Sequence, residues 1–284
     1  MQLKGSIKNL RRRLRAVQRR YQGQHRKRML GEHIAATIMR TGTGLYAIDV
    51  EDDAVRPRSG GHRTHGEDEI ARAAKFIDRE SNVLVVGAHV GTIAIPLARL
   101  ARGLWAVEAN PRTFELLNYS VALNRADNMR TLNLAASDRD EEIEFVANRN
   151  NSGGAKRMPK IRAPMYFRDR PNVVRVPAQP LDTVLAGTDF ALVFMDCEGS
   201  EYYTLKGMQR ILGGARALMV EFLPHHLRNV AGVEPEDFVD AIGPGFGTLF
   251  IPSKNLAVAG DDIKRVLRLM YDRDEGDAGL VFTR

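Results

Sequence analysis

Two short stretches of this chain hold residue types at spacings that can do chemistry. The first is Gly87-Ala-His-Val-Gly91, between the apolar run Val83–Val86 and the apolar-faced segment Thr92–Arg99. A buried strand, a glycine-containing turn and a helix start bring backbone close to a nucleotide-like ligand. Glu108 follows Gly91 by seventeen residues, at the end of the next apolar run Leu104–Val107. An acid there can accept both hydroxyls of a ribose. The dinucleotide fingerprint needs three glycines, and His89 and Thr92 stand at the second and third positions. The turn is therefore a poor pyrophosphate cradle, and it suits a ligand without phosphate at least as well.

The second stretch is Asp196-Cys-Glu-Gly-Ser-Glu201, directly after the apolar run Phe190–Met195. It places three acids within six residues at a strand end. Glu221 closes another apolar run, Ala217–Phe222, and His225 and His226 follow Pro224. A carboxylate or a histidine can take the proton of a reacting hydroxyl. Glu198, Glu201, Glu221 and His225 are the candidate bases. Glu198 and Glu201 suit equally well the cap and dipole of a helix beginning near Ser200. The two histidines also read as solvated loop residues, and Cys197 as a small buried filler.

These residues need elements to position them. From Asn82 onward strand and helix patterns alternate: Thr113–Asn124 is helical, Arg130–Ala136 extended, Glu142–Val146 an added strand. Ala147–Pro180 is a long basic stretch containing Asn150-Asn-Ser-Gly-Gly154. A helix near Pro235–Ile242 and strands at Thr248–Ile251 and Leu280–Thr283 complete the pattern. Repeated strand and helix units predict an α/β fold, a mostly parallel sheet with helices on both faces. Ligands in such sheets bind beyond the carboxyl ends of the strands. Gly87, Glu108, Asp138, Asp196 and Glu221 all fall at such ends.

Composition sets outer bounds. The chain has 284 residues, 44% of them hydrophobic, which suffices for one large core. A single cysteine excludes a disulfide framework and a cysteine-based zinc site. No run of 18 apolar residues exists and the start lacks a secretory core, so a cytoplasmic location is expected. The net charge of +7 is uneven: residues 1–40 hold 12 of the 42 Lys and Arg and one of the 35 acids, leaving 30 basic against 34 acidic residues elsewhere. Within that segment Leu3, Ile7, Leu10, Leu14, Val17 and Tyr21 recur at heptad-like spacing, which predicts an amphipathic helical arm. Its apolar seam fits packing on the domain or a homodimer through this helix, and its basic faces fit an anionic surface, a membrane or nucleic acid. The division expected is a basic helical arm over 1–40, a lead-in segment over 41–80 and the ligand-binding domain over 81–284. The arm is expected to be dispensable for ligand binding. His62 and His65, three apart in a Gly-rich loop, read as solvated, and no metal is assigned.

Asp196-Cys-Glu-Gly-Ser-Glu201 resembles the Asp-x-Glu-Gly-x-Glu signature of the FkbM-type methyltransferases, a branch of the class I S-adenosylmethionine-dependent enzymes. Val83–Gly91 is similar to that family's first motif and Val107-Glu-Ala-Asn-Pro111 to its second. Ala135-Ala-Ser-Asp138, Pro180-Leu-Asp-Thr183, Thr204-Leu-Lys-Gly207 and Val220-Glu221 also match, so the resemblance covers roughly residues 65–225. Val85 stands where the family usually has an acid, and His89 where it has Asn. The resemblance implies a Rossmann-like fold and S-adenosylmethionine as cofactor. It implies that Gly87, His89 and Gly91 line the cofactor, with Asn110 beside Glu108 on the ribose. Ser137 and Asp138 would flank the adenine, and Asp196 would lie by the methionine portion. The implied reaction is O-methylation of a hydroxyl on a sugar or glycoconjugate. Nucleic-acid methylation using the basic arm is the rival reading, although Asp196-Cys-Glu-Gly199 replaces the Asn/Asp-Pro-Pro-aromatic motif of base-methylating enzymes. A non-catalytic nucleotide-binding or assembly module is the rival from another class.

Overall fold

The computed structural model describes residue 18 and residues 21–31, 33–52 and 66–284. Residues 21–30 are helical, α1. The helical arm does not run to residue 40, because β1 (Thr37–Arg40) pairs antiparallel with β2 (Leu45–Ile48). Thr37, Ile38 and Met39 favour the extended ladder over another helical turn, and Thr41–Gly44 supply the hairpin. Of the arm's apolar seam only Tyr21 lies among the described residues, and it is exposed.

Next come α2 (Glu67–Ala73), β3 (Asn82–Val86), α3 (Ala94–Ala98), β4 (Gly103–Val107), α4 (Pro111–Asn124) and β5 (Met129–Leu132). A second, four-stranded sheet follows, built from β6 (Ala135–Ala136), β7 (Glu141–Ala147), β8 (Lys156–Arg157) and β9 (Asn172–Gln179). The chain returns to the main sheet through α5 (Leu181–Val184) and β10 (Leu192–Met195). After it run α6 (Glu201–Lys206), α7 (Gln209–Gly214), β11 (Ala217–Phe222), α8 (Pro224–His226) and α9 (Pro235–Ile242). The last elements are β12 (Thr248–Ile251), β13 (Leu256–Ala259), α10 (Asp262–Asp272) and β14 (Asp277–Thr283).

The main sheet has the order β13-β12-β14-β11-β10-β3-β4-β5. β5, β4, β3, β10 and β11 are mutually parallel, and β14 lies antiparallel between β11 and β12. The order reverses between β3 and β10, which puts the ligand-binding crevice at their carboxyl ends. Alternation along β3 feeds both faces. Leu84 and Val86 pack with α6, α7, α9 and α10 on one side, and Val83 and Val85 with α2, α3 and α4 on the other. Valines buried on both faces account for the unbroken apolar run, with roughly 1.5–3 kcal/mol of transfer free energy per side chain.

The segment 147–180 is more ordered than its Pro and Arg content suggests. β7 pairs along its whole length with β9, and Ser152–Gly154 form a 3-10 turn. The alternation of β9 is Val, Val, Arg, Val, Pro, which hides a half-buried strand in a charged composition.

Candidate active site

β3 ends where the chain must turn sharply, and three successive odd positions are left-handed: Gly87 (φ 81), His89 (φ 51) and Gly91 (φ 94). At Gly87 a Cβ would lie 1.7 Å from the Asp196 carbonyl oxygen. Glycine is required there by the close passage of the β3 and β10 ends. Gly87 and Ala88 donate their amides to the Val107 carbonyl at 2.9 and 3.0 Å, tying the turn to the end of β4. That places Glu108 under the loop. Its carboxylate accepts from the His89 amide and from the Asn110 amide, each at 2.8 Å, so the two oxygens are fixed and keep further lone pairs. Burial raises its pKa to about 7 against the pull of those two amides.

A cleft of about 530 Å³, counting its open mouth, lies beyond these strand ends. Gly87, His89 and Glu108 line one side, Asp196, Cys197 and Glu198 another, and Leu134, Ala136 and Phe145 give it an apolar wall. Gly91, Asn110, Ser137 and Asp138 stand outside that lining. Gly91 packs on Ile95 and Leu117. The Asn110 side chain accepts from the Arg112 amide and caps α4. Ser137 is buried beside Glu141 and Arg157, and Asp138 pairs with Lys206.

His89 is held from outside the nucleotide-binding half. Its Nε2 lies 2.5 Å from the Ser152 Oγ, and that hydroxyl donates to the buried carboxylate of Asp52. Neither partner is legible in the sequence, because Asp52 lies in the lead-in segment and Ser152 in the inserted sheet, far apart in the chain.

The Asp196–Glu201 turn is a second piece of strained backbone, with Glu198 at φ 53 and Gly199 at φ 102. A Cβ on Gly199 would meet Val230 at 2.6 Å, so the turn is pressed against the π-helical segment Leu227–Ala231. Glu201 accepts from the Cys197 and Gly199 amides at 2.9 and 3.2 Å and thereby organises the turn. Glu198 does not cap α6. It reaches Lys156 Nζ at 3.0 Å, with His226 Nδ1 3.4 Å from the same oxygen. The register of β11 against β14 slips between Val220 and Phe222, and the bulge falls on Glu221. Glu221 Oε2 lies 3.9 Å from His226 Nδ1.

The result is a half-enclosed cluster of Asp196, Glu198, Glu201, Glu221, Lys156 and His226. Burial first, then the neighbouring carboxylates, push Asp196 and Glu221 well above the usual carboxylate range. Burial raises Glu201 to about 6. Burial, with Lys156 and His225 beside it, holds His226 down at about 2. Burial likewise keeps the Cys197 thiol well above its ordinary value, so it is no thiolate nucleophile. The four acids are among the sequence candidates. His226 and Lys156 are additions. The two histidine rings lie side by side with centroids 4.3 Å apart, and the sequence does not say which of them is the buried one. His225 is half-buried, with its carbonyl taking the Tyr166 hydroxyl.

Fold and site together define a class I methyltransferase: a sheet of five parallel strands with the antiparallel β14 inserted beside β11, a glycine turn after β3, and an acid at the end of β4. The family model of the methyltransferase FkbM domain matches residues 86–270, and the chain belongs to that family. A search of curated proteins finds no match. Among solved structures the chain is similar to the methyltransferase FkbM of Methylobacillus flagellatus, at 15% identity and TM-score 0.43 over 72% of this chain and 44% of that one. It is similar to Trm5b of Pyrococcus abyssi at 14% identity and TM-score 0.40, over 74% and 47% of the two chains. With TYW2 of M. jannaschii, solved in complex with AdoMet, it shares 16% identity and a TM-score of 0.37, over 66% and 62%. The chain thus spans less than two thirds of the length of each.

S-adenosylmethionine is the family's methyl donor, and the cleft fits it. The apolar wall of Leu134, Ala136 and Phe145 suits a flat base, and Glu108 keeps acceptor capacity for two hydroxyls. Asp196 Oδ1 is buried without a hydrogen-bond partner at the opposite side, where a cationic ligand end would satisfy it.

Proposed function

We propose that this methyltransferase acts on a hydroxyl, that of a sugar or glycoconjugate. The observation that carries the reading is Glu198, a carboxylate in strained left-handed backbone that reaches the cleft while Lys156 holds it from behind. Strain of this kind costs about 1–3 kcal/mol and persists where a function needs the side chain placed. S-adenosylmethionine supplies an electrophilic methyl group. The chain's own residues have to align the acceptor, keep water out and take or hold the hydroxyl proton.

Three carboxylates and a histidine were candidates for that last task, and their surroundings separate them. Glu201 is committed to the turn amides. Glu221 lies behind the cleft wall on its bulge, and Asp196 faces the donor side. His225 lies outside the cleft lining. Glu198 is left as the acceptor-facing group. The test is a Glu198→Gln variant with S-adenosylhomocysteine affinity and turnover measured side by side on glycan and lipid-linked sugar acceptors. Turnover is expected to fall by about 10²–10⁴ with affinity for the demethylated product unchanged. Methyl incorporation into RNA, with none into any hydroxyl acceptor, would overturn the reading.

A further inference from the structure

We propose that Glu198, Glu221 and His226 hold a first-row divalent cation at the inner end of the cleft. Its exchangeable position takes the acceptor hydroxyl, a role that rests on the hydroxyl-acceptor reading above; the binding of the cation does not.

Three observations lead there. First, the ligating atoms of Glu198, Glu221 and His226 lie within 4.8 Å of one another. Second, His226 is 5% exposed, yet its Nδ1 has no hydrogen-bond partner, and neither has the buried Oε2 of Glu221. Buried polar atoms in folded proteins are nearly always satisfied, and two unsatisfied ones 3.9 Å apart mark a place for something between them. Third, Asp196, Glu198, Glu201 and Glu221 face only one buried cation, Lys156, among the described residues of the cluster. Four carboxyl groups around one ammonium are oxygen donors in excess, a set that a second cation can draw on.

The donor set names the class of ion. Two carboxylate oxygens and one imidazole nitrogen suit a first-row divalent metal better than calcium or magnesium, which prefer oxygen alone. The ligands are also held in place. Glu221 is aimed by the β11 bulge and Glu198 by its left-handed backbone. The His226 ring lies beside Tyr166 and His225, with centroids at 5.7 and 4.3 Å. Three protein ligands leave coordination positions open, as in catalytic rather than structural metal sites. Glu198 is the ligand that lines the cleft, so the open side faces the acceptor.

The test uses the full chain stripped of metal and titrated with Mn²⁺, followed by electron paramagnetic resonance. One bound Mn²⁺ per chain is expected, with hyperfine coupling to an imidazole nitrogen. His226→Gln and Glu198→Gln should each weaken binding by more than the roughly 10- to 100-fold typical of groups that only support a ligand. Circular dichroism and retained S-adenosylhomocysteine binding check that both variants are folded. If they are not, the nitrogen coupling in the unmutated chain decides. No bound Mn²⁺ at millimolar concentration overturns the proposal. So does binding without nitrogen coupling, binding unchanged in either folded variant, or loss only in Glu201→Gln, which would move the ion to the Asp196, Glu201 and Glu221 group. A chain that binds Mn²⁺ through His226 but methylates no hydroxyl keeps the cation site and removes the acceptor reading.

Discussion

Glu108 shows how much one buried carboxylate can report. Its two oxygens are fixed by the His89 and Asn110 amides, and burial holds its pKa near 7. A ribose bonds better to the ionised form, so affinity for S-adenosylhomocysteine is expected to rise as the pH goes from 6 to 8. Glu108→Gln should flatten that profile and cost about 1.5–3 kcal/mol, or roughly 10- to 150-fold, at pH 8. Titration calorimetry across the range checks both; a flat profile in the unmutated chain removes Glu108 from the ribose. The stability sign is opposite. The folded pKa lies above the unfolded one, near 4.5, so between those values the folded chain binds more protons. Its share of stability is therefore present below about pH 4.5 and lost as the pH rises through about 7. Thermal melts of the cofactor-free protein should show that share disappearing in Glu108→Gln.

At the scale of elements, the site is a meeting of two strand ends. Gly87 lets β3 pass the Asp196 carbonyl of β10, and its left-handed φ would strain any other residue. Gly87→Ala is expected to cost at least about 2 kcal/mol and to abolish S-adenosylhomocysteine binding. A melting temperature within a degree of the unmutated chain would contradict it. This part was legible in the sequence, because an apolar β-branched run ending in glycine has one structural meaning. Glu108 and Asp196 were legible for the same reason: strand ends are predictable from burial patterns. The outer half of the site was not. Lys156, Ser152 and Asp52 reach it from the inserted sheet and the segment before the core, through pairings no local pattern encodes. β9 was hidden by the arginine and proline in its alternation, and the inward-facing member of the His225–His226 pair is decided by the short helix they share.

At the scale of the molecule, the N-terminal segment divides differently than its charge suggests. Arg26 donates to the Val50 carbonyl at 3.0 Å, and Gly23 lies so close to Glu51 that a Cβ would meet its carbonyl oxygen at 2.7 Å. The next residue, Asp52, is the anchor of Ser152 and, through it, of His89. Removing residues 1–40 is therefore expected to weaken S-adenosylhomocysteine binding by about tenfold, on the order of one lost hydrogen bond to a charged group. Removing residues 1–17 spares Gly23 and Arg26 and is expected to leave that affinity unchanged. Equal affinities for the two truncations would show that residues 18–40 are as separable as a charge count implies. The sheet order carries a different consequence, one of timing. β14 is synthesised long after β11, yet it lies beside it and fixes the bulge that aims Glu221. At ~5–20 residues per second, β11 waits several seconds on the ribosome with one apolar edge unpaired. During that interval the nascent chain has its nucleotide-binding half but no finished acceptor side, and its open edge is the surface a chaperone would have to guard.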